Sequence, residues 1–228
     1  MPTCVGMTTK QQPVGMVDYY RKRAREYDAL YEAPAWRSEL AVLKDWLIAR
    51  THGKSILEVA AGTGYWTAVA APVAKAITAT DINAETLAIA SERQLGEHVA
   101  LVQTDAWCLP DTLGRFDVGM AHLWWSHVRK QDQHRFLSHF ASRLQAGATL
   151  LMIDQNDVSD FGTPISRRDS DGNSYQLRWL DNGERFEVVK NYPDHAELER
   201  SVGQACADIR ILQLTHFWAV CARFRLGA

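Results

Sequence analysis

The sequence predicts an α/β fold in which helices cover both faces of a mostly parallel sheet. Short apolar runs alternate with longer amphipathic runs from residue 55 to residue 155, and this order is typical of βαβ units. The chain has 228 residues, 46% hydrophobic and 23% charged, which suffices for one domain with a substantial core. No repeat, low-complexity segment or linker composition divides it, so we expect one domain over residues 17–228.

The N-terminal part is predicted to be helical after a frayed segment, residues 1–16. The stretch VDYYRKRAREYDALY is polar with spaced tyrosines and predicts one helix or two short ones. The stretch APAWRSELAVLKDWLIAR places Leu40, Leu43 and Leu47 at helical spacing, and Gly53 is positioned to end that helix. Together these stretches predict a helical cap, residues 17–50.

Five strand-like runs follow, namely SILEVA, AITAT, VALVQ, FDVGMAH and ATLLMIDQ. The first intervening run is predicted to be helical up to Pro72, and the second to begin at Asn83 as its N-cap. The run QDQHRFLSHFASRLQAG predicts a helix that buries Phe136, Phe140 and Leu144 and ends at Gly147. Strands and helices in this order indicate a doubly wound, Rossmann-like sheet.

The pattern changes after residue 156. The run SYQLRWLDNGERFEVVK predicts a β-hairpin, because Asn-Gly adopts a tight turn easily, and we place it in an insertion over residues 157–192. Asp194 and Glu197 have the spacing of a capping box. Two last strand-like runs complete a sheet of about seven strands, mostly parallel with an antiparallel last strand, plus the inserted β-hairpin after strand five.

Charge and hydropathy argue against several classes of function. The formal net charge is −2, so there is no bulk electrostatic case for nucleic-acid binding. No apolar run approaches the roughly 18 residues of a membrane span, and the N-terminus lacks the pattern of a signal peptide. The four cysteines show no metal-ligand spacing. We therefore expect a cytoplasmic protein with no nucleic-acid partner, no membrane association and no metal.

The stretch SILEVAAGTGYWT runs from a strand through a glycine turn into a helix, which is the form of several nucleotide-type binding turns. A dinucleotide fingerprint that starts at Gly62 would need its third glycine at Thr67, where a side chain hinders close approach of helix and strand. The alternative pattern is an acid followed by spaced small residues, namely Glu58, Ala60, Gly62 and Gly64.

This second pattern resembles the first motif, D/E-x-G-x-G-x-G, of the class I S-adenosylmethionine-dependent methyltransferases of small-molecule type. Ala60 stands at the first glycine, and we expect it to have negative φ, because a positive φ would cost an alanine roughly 1 kcal/mol or a little more. Glu58 could pair, directly or through water, with the ammonium of S-adenosylmethionine. Backbone N–H groups at the helix start could take its carboxylate.

Two more acids end the next two strands. Asp81, with Ile82 after it, lies about 20 residues beyond the glycine turn, where a carboxylate can accept both ribose hydroxyls. Asp105 ends the third strand, where the resemblance places a contact to the adenine amino group. Ala106 would offer its backbone N–H to a ring nitrogen of the same base.

The resemblance covers roughly residues 17 to 155 and, less sharply, the final strands. It also implies that a tyrosine from the N-terminal helix packs over the cofactor. Tyr20 and Tyr27 are the candidates, with Tyr19 and Tyr31 behind them.

The segment after strand four, AHLWWSHV, is expected to decide what is methylated. His122 or His127 is a candidate general base, because an unperturbed histidine takes a proton near neutral pH, and His122 is also expected at the cofactor. Trp124 and Trp125 could cover a flat ring or hold a cationic amine.

In the insertion, Arg167, Arg168 and Tyr175 could meet an acidic group on the substrate. The alternative is that the hairpin extends a sheet across a homodimer.

We therefore predict an enzyme of class EC 2.1.1.-, which moves a methyl group to an O or N atom of a small molecule by in-line displacement. The N/D-P-P-F/Y motif of enzymes that methylate nucleic-acid bases is missing. Asp154 and Asn156 follow strand five as in metal-dependent relatives, but strand four lacks their aspartate, so a metal is not expected. The alternatives are a protein that binds S-adenosylmethionine without methyl transfer, or another group transfer such as aminopropyl transfer. A nicotinamide-dependent dehydrogenase is the least favoured.

Overall fold

The computed structural model describes residues 15–158 and 162–225; most of the predicted frayed segment therefore lies outside the described residues. The helices are α1 (Met16–Arg23), α2 (Arg37–Thr51), α3 (Tyr65–Ala70), α4 (Ala84–Ser91), α5 (Gln133–Ala141) and α6 (His195–Val202). The strands are β1 (Ser55–Val59), β2 (Ala76–Asp81), β3 (Val99–Gln103), β4 (Phe116–His122), β5 (Leu144–Gln155), β6 (Ile165–Arg168), β7 (Ser174–Trp179), β8 (Arg185–Val189), β9 (Cys206–Gln213) and β10 (Phe217–Phe224).

The central sheet has seven strands in the order β3-β2-β1-β4-β5-β10-β9. Strands β1 to β5 pair in parallel, and β10 runs antiparallel to both of its neighbours, β5 and β9. The predicted Rossmann-like sheet, with its antiparallel last strand, is confirmed. The strand order reverses between β1 and β4, and open α/β sheets bind ligands at the carboxyl edge of such a switch point.

Helices pack on both faces of the sheet. Ile56 lies in one core cluster with Leu43 of α2, whereas the next residue, Leu57, lies in the other with Phe136 and Phe140 of α5. Successive residues of a strand point to opposite faces, so β1 is buried from both sides. This burial explains why its sequence is a continuous apolar run rather than an alternating one.

The N-terminal cap begins with α1 and continues as a 3₁₀ segment, Ala24–Glu32. The helix α2 ends at Thr51, and Gly53 follows it with a φ of +69°. The predicted stop at Gly53 is therefore confirmed.

The insertion after β5 forms a sheet of its own, with the strand order β6-β7-β8. The predicted hairpin is β7–β8, where Gly183 N donates to Leu180 O at 2.8 Å and Gly183 has a φ of +84°. This pattern is a turn closed by a left-handed glycine rather than a two-residue Asn-Gly turn. The third strand, β6, was not predicted, because it is short and its exposed charged residues carry no alternation.

The prediction that Gly147 ends the α5 helix is wrong. The helix ends at Ala141, and Gly147 lies within β5 with a φ of +71°. Leu144 is buried and pairs with Phe116 of β4, and the register shifts between that pair and the next. Pairing with β4 therefore starts β5 earlier than the helical pattern suggested, and the left-handed glycine falls inside the irregular stretch.

The capping box at the start of α6 is confirmed. Asp194 accepts from the backbone N–H of Glu197, and the Glu197 side chain accepts from the backbone of Asp194. Within the described ranges, the helices are all too short or too polar to cross a lipid bilayer.

Candidate functional site

A cleft of about 890 Å³, which includes open solvent at its mouth, lies at the carboxyl edge of the central sheet. Its walls come from the ends of β1 to β4, the first residues of α1 and the following 3₁₀ segment. The cleft sits at the switch point between β1 and β4, where open α/β sheets bind their ligands.

The turn after β1 is built from alternating left-handed residues. The φ angles of Ala60, Gly62 and Gly64 are +52°, +59° and +75°, so the expectation of a negative φ at Ala60 is wrong. Ala61 N donates to Thr80 O at 2.9 Å, and Gly64 N donates to Ala61 O at 3.0 Å. These bonds hold the turn against β2 and impose the conformation that alanine disfavours.

The two glycines of the turn serve different purposes. A Cβ at Gly64 would lie 2.9 Å from the Cβ of Ala90 in α4, whereas no heavy atom of the described residues lies within 4 Å of a Cβ at Gly62. Gly62 lines the cleft, whereas Gly64 is not among the described residues that line it. The sequence predicts Gly64 as a cofactor contact. In the structure, Gly64 allows α3 to pack closely against α4.

Asp81 connects the glycine turn to the start of α4. Its two carboxylate oxygens accept from Gly62 N at 2.9 Å and from Asn83 N at 2.8 Å. The side chain is 8% exposed, and burial raises its pKa above the ordinary value. Asn83 is the N-cap residue of α4, as predicted, but its amide donates to Val17 O at 3.3 Å instead of capping the helix.

Glu58 forms part of the cleft wall at the end of β1. It is 1% exposed, and its carboxyl accepts from the Thr67 hydroxyl at 2.6 Å. Burial raises the pKa of this carboxyl to about 8, so Glu58 carries a proton at neutral pH in the ligand-free protein. Thr67 stands at the position of the third glycine of a dinucleotide fingerprint, and here it holds the acid.

The remaining predicted cofactor contacts also line the cleft, and they are Tyr20, Tyr27, Ile82, Asp105, Ala106 and His122. The Asp105 carboxylate accepts from Trp107 N at 2.9 Å, and burial raises its pKa. Tyr31, expected behind the other tyrosines, lines the cleft as well and stacks on Tyr65 with 3.5 Å between ring centroids.

His122, at the end of β4, is a buried polar residue without a protein partner. It is 4% exposed, and both ring nitrogens lack a hydrogen-bond partner among the described residues. Its ring meets the indole of Trp66 edge-on at 5.4 Å, and burial lowers its pKa to about 3. Buried polar groups in proteins are normally hydrogen-bonded, so this imidazole marks a place where a ligand can supply the bond.

His127 lines the cleft but has partners on both sides. Its Nδ1 contacts Val189 O at 2.5 Å, and its Nε2 contacts the Tyr20 hydroxyl at 2.8 Å. Burial, with the charge of Lys190, lowers its pKa to about 3. Trp124 lies next to it in the cleft wall.

Three predicted substrate contacts lie away from the cleft lining that the described residues form. Trp125 is fully buried and packs against Phe136, because a 3₁₀ turn directs it into the core while Trp124 faces the cleft. Arg167 pairs with Glu187 and lies 3.6 Å over the ring of Tyr175. The Tyr175 hydroxyl donates to Asp169. Arg167 and Tyr175 therefore both have their partners within the insertion rather than in the cleft.

A buried ion pair connects the insertion to the turn that carries His127. Lys190 and Asp154 are 2% and 0% exposed at the side chain, with 3.1 Å between Nζ and Oδ1. The Ser126 hydroxyl and backbone N–H both donate to Asp154, and Lys190 Nζ donates to Ser126 Oγ. Sequence reasoning missed Lys190, since a lone lysine at the end of a hairpin gives no signal of burial.

Asp154 follows β5 at the position where metal-dependent relatives have a metal ligand. Its carboxylate is compensated by Lys190, which lowers its pKa although burial alone would raise it. Across residues 15–158 and 162–225, histidine, cysteine, aspartate and glutamate side chains form no group of three or more that could hold a metal ion.

The fold and the site define a class of protein. Residues 56–147, from β1 into β5, match the model of a family described as a methyltransferase domain. With the acid-and-glycine turn, the acids at the ends of β2 and β3 and the sheet order, this match and the similar solved structures support a class I S-adenosylmethionine-dependent methyltransferase with S-adenosylmethionine as its cofactor.

Solved structures agree with this assignment. The structure is similar to DhpI in complex with S-adenosylhomocysteine (SAH), with a TM-score of 0.76, 27% identity and coverage of 92% of this chain and 95% of that chain. For DhpI in complex with S-adenosylmethionine (SAM) and HEP, the values are 0.73, 28%, 90% and 94%. A methyltransferase from Clostridium acetobutylicum has the same fold at 17% identity, with a TM-score of 0.58 and coverage of 91% and 99%. No curated protein sequence matches the chain significantly.

The residues present fit this cofactor. The cleft has three carboxyl groups at successive strand ends, Glu58, Asp81 and Asp105, and these can accept from amino and hydroxyl groups. The space beside Gly62 lets a ligand approach the backbone, and the unpartnered imidazole of His122 offers one more hydrogen bond.

Proposed function

We propose that this enzyme methylates a small molecule that carries an acid group, and that the accepting atom is an anionic oxygen of that group. When bound, S-adenosylmethionine supplies a methyl group on a positively charged sulfur, which is a good leaving group. The residues of this chain then have to bind the acceptor, orient it and exclude water.

The observation that carries the proposal is the protonation of His122, His127 and Tyr20. These residues line the part of the cleft where we place the methyl acceptor, called the acceptor end below. Burial lowers the pKa of His122 and of His127 to about 3, and burial raises the pKa of the Tyr20 hydroxyl above its usual range. A general base works best with a pKa near the operating pH, so neither histidine suits that role at pH 7. An acceptor that is already ionised needs no base.

Charge at this end of the cleft favours an anion. Besides the effect of burial, the guanidinium of Arg178 lowers the pKa of Tyr20, Tyr27 and His127, which means that its positive charge acts on these groups. The carboxylate of Asp154 acts on the pKa of the same three groups in the opposite direction, but Lys190 pairs with that carboxylate and also lowers the pKa of His127. An acceptor with an ammonium group would be repelled and would still have to lose a proton.

The aromatic wall of the acceptor end fits a dry site. Tyr20, Tyr27, Trp66 and Trp124 all line the cleft, and an apolar surround strengthens the attraction between an anion and its cationic partner. The complex of DhpI with both S-adenosylmethionine and HEP supports a cleft that takes a cofactor and a second compound together.

A transfer assay with methyl-labelled S-adenosylmethionine tests the proposal. Pools of small carboxylic, phosphoric and phosphonic acids are compared with matched amines, phenols and alcohols. We expect label in the acids, as an ester from which alkali releases labelled methanol where the acid is carboxylic. Label confined to amines would contradict the proposal, and cofactor binding without transfer to any pool would favour the non-catalytic alternative.

An Arg178→Met variant examines the charge argument in the same assay. We expect the KM for an acidic acceptor to rise by at least tenfold while the affinity for S-adenosylhomocysteine stays within twofold. Arg167→Met is the matched control, because Arg167 is paired with Glu187 and should leave both values unchanged.

A further inference from the structure

The loop after β3, residues 105–109 and called the adenine loop below, carries the groups expected to meet the base of the cofactor. Asp105 and Ala106 line the cleft. The Asp105 carboxylate accepts from Trp107 N at 2.9 Å, and Asp105 O accepts from Cys108 N at 2.9 Å. These bonds close the first turn of the loop on itself, but they do not attach the loop to its neighbours.

A histidine of α5 holds the other end of the adenine loop. Leu109 N donates to Nε2 of His139 at 3.0 Å, across 30 residues of the chain. The helix that carries His139 is fixed in the core through Phe136 and Phe140. The Leu109 side chain is 3% exposed, and a buried backbone N–H needs a partner within the protein. This one bond therefore anchors the loop to α5.

The direction of the bond determines the protonation state of His139. A backbone N–H can only donate, so Nε2 has to present a lone pair, and the neutral ring carries its proton on Nδ1. A doubly protonated ring would turn a second N–H toward the Leu109 N–H, and the two donors would repel each other. Protonation of His139 therefore breaks the anchor.

The surroundings of His139 keep the ring neutral at pH 7. Burial lowers its pKa below the ordinary value, while the carboxylate of Asp105 acts in the opposite direction. The imidazole in turn lowers the pKa of Asp105, which burial raises, so the two side chains act on each other. Three guanidinium groups of α5 and the segments beside it have partners of their own, namely Arg135 with Asp132, Arg143 with Asp111, and Arg115 with the carbonyls of Ser142 and Leu144.

We propose that His139 is a positioning residue for recognition of the adenine base, which holds the adenine loop in place when neutral and releases it when protonated, so that cofactor affinity falls at acidic pH. Among the described residues, those that line the cleft do not include His139. It acts instead through the Leu109 N–H on the positions of Asp105 and Ala106. Because only the cofactor is involved, the identity of the methyl acceptor does not enter.

Calorimetric titration with S-adenosylhomocysteine from about pH 7.5 to about pH 5, the range in which histidine titrates, tests the proposal. His139→Gln places an amide oxygen near the position of Nε2 and has no proton to gain, so it should keep the wild-type Kd at the upper pH. Toward the lower pH the wild type should lose about two- to fivefold more affinity than this variant. Glu58, Asp81 and Asp105 are present in both proteins, so their titration cancels in the comparison.

A His139→Leu variant separates positioning of the loop from a general structural role. Leucine offers no acceptor, so the Kd at the upper pH should rise about three- to tenfold, the range of one hydrogen bond. The second ligand is S-inosylhomocysteine, in which a carbonyl replaces the amino group that Asp105 is expected to bind. A displaced loop recognises that amino group poorly, so the preference for the adenine ligand should fall by about threefold or more in His139→Leu and persist in His139→Gln.

His134→Leu is the matched control, because His134 is exposed on the same helix and should leave the Kd values and their ratio unchanged. An unchanged preference between the two ligands in His139→Leu, or a pH profile of His139→Gln that superimposes on that of the wild type, would overturn the proposal. The glutamine profile decides if the leucine variant does not fold. These titrations contain no acceptor, so failure of the methyl-transfer assay with acids leaves their outcome unaffected.

Discussion

Single residues at the carboxyl edge of the sheet carry backbone strain. Ala60 follows β1 and Leu123 follows β4, and their φ angles are +52° and +51°. Neighbouring strands hold both, since Ala61 N bonds to Thr80 O and Leu123 N bonds to Ile153 O. Left-handed residues other than glycine cluster at functional sites, and two of the four in the described part of the chain, Ala60 and Leu123, flank the switch point between β1 and β4.

Replacing Ala60 with glycine should stabilise the protein. The change removes about 1–2 kcal/mol of left-handed strain, of which about 0.5–1 kcal/mol is offset by the greater flexibility of an unfolded glycine. Denaturant unfolding should therefore show a gain of up to about 1 kcal/mol. Ala61→Gly, next to it but without a positive φ, is the control and should lose about 0.5–1 kcal/mol; equal losses in the two variants would contradict the argument.

Glu58 should make stability depend on pH. Its folded-state pKa of about 8 lies above the ordinary 4.5, so the unfolded chain gives up this proton first. Stability is retained below pH 4.5 and declines as pH rises from there toward 8. Unfolding of the ligand-free protein between pH 5 and pH 8.5 should show this slope, and Glu58→Gln should flatten it; an unchanged slope would show that Glu58 is ionised in the folded state.

At the scale of helices and strands, the close approach of α3 and α4 beside the glycine turn depends on a single residue. Gly64 is the N-cap residue of α3, and a side chain there would contact Ala90 of α4. Asp81 at the end of β2 and Gly64 at the start of α3 are therefore parts of one arrangement. Asp81 holds the glycine turn through Gly62 N, Gly64 lets α3 pack closely against α4, and the cleft beside the turn stays open.

The two turn glycines should respond differently to alanine. Gly62→Ala carries mainly the conformational cost, about 1–2 kcal/mol, because the space around its Cβ is open among the described residues. Gly64→Ala adds a 2.9 Å contact with Ala90, and overpacking typically costs a further 1–3 kcal/mol. Denaturant unfolding of both variants measures the difference, and equal values would mean that α4 moves away freely.

At the scale of the whole molecule, ligand binding should stabilise the fold through the cleft. A ligand at about 100 times its Kd adds near 2.7 kcal/mol to the free energy of unfolding. The cleft is formed by the glycine turn, the strand ends and the N-terminal cap. Ligand binding therefore links parts of the chain that are far apart in sequence. The buried pair of Lys190 and Asp154 extends this connection to the insertion.

Asp81→Ala should abolish most of the melting-temperature rise caused by S-adenosylhomocysteine. The unliganded variant should also melt earlier, since Asp81 holds Gly62 and Asn83, so the comparison concerns the rise rather than the melting temperature itself. Asp117→Ala is the control, because Asp117 accepts two bonds from Ser55 away from the cleft. A full rise in Asp81→Ala would contradict the proposed contact to the ribose.

The sequence by itself determined the type of sheet, the succession of strands and helices along the chain and the acids at the strand ends. Apolar runs, the glycine turn and the capping box at Asp194 are local patterns, and a strand end followed by a turn predicts the cleft edge without knowledge of distant residues. For the same reason Glu58, Asp81 and Asp105 could be placed together before their side-chain contacts were known.

The tertiary structure decided what those residues do to each other. The partners of His127 are Tyr20 and Val189, which are 107 and 62 residues away in the chain, and no local pattern reports them. Burial of both histidines, which lowers their pKa, likewise depends on the packing of distant elements. Hydrogen-bond direction, desolvation and the strained φ of Ala60 are set by neighbours in space, which is why sequence reasoning could place acids at the strand ends but predicted neither the partners of His127 nor the positive φ of Ala60.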